Sequence, residues 1–74
     1  MKRPQGQLLT RLRRWRLENG LTLQEEADLT GFSASMISRA ERGERVFSPM
    51  AKVRMARLLD VRIVDLFEHE QESA

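Results

Sequence analysis

Residues 21–43 read LTLQEEADLTGFSASMISRAERG, and this stretch decides the fold. Thr22 is a favourable helix N-cap, and Glu25 three residues on completes a capping box, so the pattern predicts a helix over 22–30. Gly31 ends it, because glycine enters the left-handed backbone region at little steric cost. Ser33 caps a second helix over 33–42, which stops at Arg42-Gly43. Only Gly31-Phe32 lies between the two. So short a connection makes them cross steeply as a helix-turn-helix, with the N-terminal half of the second helix projecting from the body. A helix presented that way has the width of the major groove of duplex DNA.

The flanks supply the rest of a bundle. Upstream, Leu8, Leu12 and Trp15 fall on one face of a first helix, and Asn19-Gly20 stops it. Downstream, Ser48-Pro49 is a serine cap followed by proline at the first helical position, where a missing N–H does no harm. Met55, Ala56 and Leu59 form the inner face of that helix, and a last turn holds Ile63, Leu66 and Phe67. Met36 and Met50 are expected in the core or in turns, as is Met55. No strand-like alternation persists beyond a few residues. The expected fold class is all-α: a compact bundle of about five short helices around a central helix-turn-helix. Residues 1–7 are expected to be a flexible basic arm, 8–67 the domain, and 68–74 an acidic polar tail.

Composition narrows the function. The 74 residues leave room for one small domain, and 41% hydrophobic against 32% charged suits a folded unit. There is no cysteine and a single histidine, His69, which argues against disulfides and the usual zinc centres. No apolar run approaches the ~20 residues of a membrane span, so a cytoplasmic protein is expected. No Ser/His/Asp set, phosphate-cradling glycine loop or acidic metal cluster can be assembled, so neither an enzyme nor a cofactor is expected. Residues 1–19 carry six basic side chains against Glu18, a local net of +5, whereas 61–74 carry a net of −3. Arg39, Arg42 and Arg45 recur at three-residue spacing, and clustered arginines raise the prospect of nucleic acid as partner. Arg11, Arg13 and Arg14 read as a solvated helix face.

The run Leu21-Thr22, Glu25, Ala27, Gly31-Phe32-Ser33, Met36-Ile37-Ser38-Arg39 and Glu41-Arg42-Gly43 resembles the lambda-repressor/Cro type of DNA-binding domain, also called the xenobiotic-response-element family. Ser48, Ala56-Arg57-Leu58-Leu59, Ile63 and Asp65-Leu66-Phe67 extend the likeness across residues 8–67. The resemblance implies a five-helix transcriptional regulator whose helix after the turn enters the major groove. It makes Ala34, Ser35, Ser38 and Arg39 the base-edge candidates. Thr22, Gln24, Ser33, Arg42 and Arg45 become candidates for DNA phosphate. Arg39 suits its assignment because a guanidinium can bond guanine O6 and N7 together, although a phosphate contact is the plainer alternative. Arg42 and Arg45 have an alternative too, as cations complementing a helix C-terminus. The resemblance also implies an ion pair between Arg16 and Glu41.

Several positions depart from the family pattern. Leu23 stands where a backbone-contacting glutamine is common, and Glu26 and Lys52 stand where leucine is usual. Thr30 replaces an apolar residue, and Arg62 a capping serine. Glu26 lies one turn from both Thr22 and Thr30, a line that the resemblance makes apolar, and the stem of Lys52 must run along the core face. The two charges are therefore expected either to pair across the second and fourth helices or to run independently to water. The expected function is a repressor-like, sequence-specific regulator of double-stranded DNA, acting as a homodimer on an inverted-repeat operator. Leu66 and Phe67, or the end of the fourth helix, are the expected dimer surface. The alternative is an antitoxin or similar module whose main task is binding a partner protein.

Overall fold

The computed structural model describes residues 9–67. The expected basic arm, the acidic tail with His69, and Leu8 lie outside them. The described chain forms α1 (Arg11–Glu18), α2 (Leu23–Thr30), α3 (Ala34–Glu41), α4 (Pro49–Leu59) and α5 (Ile63–Leu66), with no strand among the described residues. The fold class is all-α.

Local chemistry sets the helix boundaries. Thr10 Oγ1 accepts from the Arg13 amide at 3.2 Å and donates to the Glu41 carbonyl at 3.0 Å, so one hydroxyl caps α1 and ties it to the end of α3. Thr22 and Glu25 close their capping box with bonds of 3.0 and 2.8 Å. Ser33 Oγ receives the Met36 amide, and Ser48 Oγ the Ala51 amide. Gly31 ends α2 at φ 82°, where a β-carbon would be strained. Asp60 ends α4 in the same left-handed region at φ 59°, and aspartate tolerates it better than most residues.

Leu12, Ala27, Ile37, Phe47, Met55, Ala56, Leu66 and Phe67 form the core, and Trp15 and Leu59 pack partly buried against it. Full burial of side chains such as Ile37 and Leu66 contributes roughly 1.5–3 kcal/mol each. Phe47, from the loop before α4, lies tilted against Phe32 with ring centres 5.2 Å apart and meets Phe67 edge-on at 6.0 Å. This aromatic row closes the floor under the turn between α2 and α3.

Three expectations need correction. Leu66 and Phe67 are 0% and 8% exposed, so they complete the core of this chain and cannot offer a dimer surface. Met50 is 78% exposed on the first turn of α4, because the inner line of that helix runs through Met55 and Ala56. Glu26 and Lys52 do not pair: neither Glu26 oxygen has a hydrogen-bond partner, and Lys52 Nζ lies 5.5 Å from the centre of the Phe67 ring. Lys52 therefore turns toward α5, away from α2.

Candidate nucleic-acid interface

The interface rests on the rigidity of α2 and α3. Thr30, at the end of α2, donates its hydroxyl to the Glu26 carbonyl at 2.8 Å and accepts the Phe32 amide at 3.2 Å, so the turn is held from within. Ile37 anchors the inner face of α3 with no exposed surface. Beneath them, Arg16 Nε and Nη2 grip both Glu41 oxygens at 2.6 and 3.0 Å, while Nη1 donates to the Leu21 carbonyl at 2.9 Å. The pair is nearly buried, with side-chain exposures of 11% and 4%. The bonded Glu41 carboxylate raises the Arg16 pKa further, so this guanidinium stays charged. One arginine thus ties α1, the entry to α2 and the last turn of α3 together.

The outer face of α3 carries the base-edge candidates. Ser35 and Arg39 are exposed, and Ser38 is half-buried. Ala34 is half-buried too, packed against the core, so its methyl group lies at the root of the helix. Arg39 makes no hydrogen bond or salt bridge among the described residues, and its charge acts on Glu44 only at longer range. The helix-cap hydroxyls suit phosphate chemically. Thr22 and Ser33 spend an oxygen lone pair on their caps, which leaves each O–H proton to donate. Gln24 commits one amide N–H to Asp28 Oδ1 at 3.0 Å and keeps a second.

Beyond α3, Arg42 caps the helix terminus and Arg45 follows in the exposed loop. Arg42 is already engaged. Its Nε and Nη2 each lie 3.1 Å from a Glu44 oxygen, and Nη1 donates to Ser38 Oγ. Each charge reinforces the other, the hydrogen bond with Arg42 lowering the Glu44 pKa and that with Glu44 raising the Arg42 pKa. Glu44 thus holds the Arg42 guanidinium with both carboxylate oxygens, an arrangement sequence reasoning missed. Its only signal was the charge alternation Arg42-Gly43-Glu44-Arg45. Arg45 is exposed and has no internal partner among the described residues. The surface therefore combines an exposed guanidinium in the last turn of α3, donor hydroxyls at two helix starts, and cations at the exit of α3.

Among the described residues, no helix is long and apolar enough to cross a membrane, and no group of three or more His, Cys, Asp or Glu could hold a metal ion.

Comparison with known proteins agrees with this geometry. The family model described as a helix-turn-helix domain matches residues 7–69. No curated protein matches the sequence. Among solved structures, the chain is similar to the restriction-modification controller protein C.AhdI from Aeromonas hydrophila. The identity is 35%, the TM-score 0.69, and the match covers 77% of this chain and 86% of that one. The match takes in α2, α3 and their turn, and this chain belongs to the helix-turn-helix domain family, of the lambda-repressor/Cro type.

Proposed function

We propose that the protein is a sequence-specific, double-stranded-DNA-binding transcriptional regulator that works by docking α3 in the major groove. The observation that carries this reading is the exposed Arg39, free of any hydrogen bond or ion pair among the described residues, in the last turn of a helix fixed by the Arg16–Glu41 pair and flanked by donor groups. In the docked state Arg39 reads base edges, with Ser35 and Ser38 beside it and the Ala34 methyl group at the helix root. Thr22, Gln24, Ser33, Arg42 and Arg45 hold phosphate and fix the register of the helix on the duplex. The likeness to a restriction-modification controller protein supports a regulatory role over an enzymatic one.

A single α3 covers few base pairs, so the protein acts as a two-fold homodimer on an inverted repeat with half-sites about 34 Å apart. With Leu66 and Phe67 buried, the exposed Leu58 at the end of α4 and Val64 on α5 are the apolar residues left in that region to form the contact. Binding represses transcription by occupying the operator. Selection of bound fragments from a random DNA library tests the proposal. Enrichment of one inverted-repeat sequence is the expected result; retention of all fragments alike, or of none, would overturn it.

A further inference from the structure

Glu26 is the one side chain of the helix-turn-helix that the interface does not explain. It is 0% exposed, and both carboxylate oxygens are buried without a hydrogen-bond partner. An ionised carboxylate in such a place lacks both water and donors, which disfavours the charged form strongly. The charges around it do not repair this. Arg16 on α1 attracts it, but three of the five guanidinium N–H groups are committed to Glu41 and the Leu21 carbonyl. Glu41 on α3 presents a second negative charge. On α4, which also packs against α2, Arg54 and Arg57 are exposed and Lys52 lies over the Phe67 ring.

We propose that Glu26 is a proton-binding site inside the helix-turn-helix: the folded protein holds it as a neutral carboxylic acid, and its ionisation loosens α2 against α3 and α4. Burial is the largest cause, the Glu41 charge adds to it and Arg16 offsets it in part. Together they push the Glu26 pKa up from the usual carboxylate range to about 7. The sign follows from where the proton binds. The folded state takes it up more readily than the unfolded chain, so the stability it contributes is complete below pH ~4.5 and is lost as pH rises through about 7. Across that window the folding equilibrium constant falls by roughly 300-fold. The site is independent of any DNA contact.

Urea unfolding of the full 74-residue chain and of Glu26→Gln, from pH 5 to 8.5, tests it. His69 and the chain terminus titrate in both proteins, so the difference between the two profiles isolates Glu26. The parent is expected to lose stability steadily toward pH 8 while Glu26→Gln stays nearly level. Parallel profiles would overturn the proposal. A carboxyl-carbon NMR titration of the parent reads the same group directly and does not depend on the variant folding. One glutamate should show a midpoint about two and a half pH units above the others, and a set of midpoints all in the ordinary range would overturn the proposal equally.

Discussion

Glu41 and Arg42 are neighbours in sequence, yet each forms a two-pronged guanidinium–carboxylate pair in a different medium. Glu41 turns inward and meets Arg16 with side-chain exposures of 4% and 11%; Arg42 turns outward and meets Glu44 with exposures of 48% and 56%. The bonding pattern is the same, but solvent decides what it does. The inner pair is largely removed from water, so either partner alone would be left as a poorly compensated charge. The outer pair sits in high dielectric beside competing water and salt, where such contacts hold little stability and exchange partners readily. One end of α3 thus carries a structural clamp and, one residue later, a cation that another anion can claim.

The largest expected effect comes from breaking the inner pair. Glu41→Ala should lower the unfolding free energy by about 3 kcal/mol, at the low end for a buried pair because Arg16 keeps some contact with water. Thermal or urea unfolding measures it; a loss no greater than that of Glu44→Ala would erase the distinction between the pairs. The comparison sharpens in a Glu26→Gln background. With Glu41 gone, Arg16 can turn its freed N–H groups toward Glu26, so removing that carboxylate first should make Glu41→Ala more damaging. Additive losses would show that Arg16 does not change partners.

Smaller effects belong to the outer pair. Glu44→Gln should leave the unfolding midpoint unmoved, since both side chains are solvated. It should instead strengthen binding to every duplex alike, because Arg42 no longer has to exchange a carboxylate for a phosphate. Titrations on specific and random DNA check this, and unchanged affinity on both would mean that Arg42 stays with Glu44 when DNA binds.

Helix boundaries were the most legible part of the fold. Thr22 with Glu25, Ser33, Gly31 and Ser48-Pro49 are local signals, and each marks a boundary in the structure because capping depends on a few adjacent residues. The Arg16–Glu41 pair was implied by family resemblance, and the structure sets the two side chains 2.6 Å apart. Long-range facts were less legible. Phe47 lies in a loop, where no periodicity marks a residue as core, yet it joins Phe32 to Phe67. The family resemblance put Glu26 on the inner line of α2 but carried no information about what stands opposite. The charges that act on it are Arg16 and Glu41, and Lys52 faces elsewhere. The apolar character of Leu66 and Phe67 suggested a surface for association, when the core of so small a domain needed both. At the interface, α3 as the presented helix was readable, but the Arg42–Glu44–Ser38 arrangement depends on loop geometry after Gly43.

The division of labour along α3 is most directly tested by titrating Arg39→Ala and Arg45→Ala on the selected duplex and on a random one across a range of salt. If α3 reads sequence through Arg39, its removal should cost about 1–3 kcal/mol on the selected site, much less on the random duplex, and relax one base position. Arg45→Ala should instead weaken both duplexes alike and reduce the salt slope by about one unit. Equal losses on the two duplexes for Arg39→Ala would contradict its role as the reader.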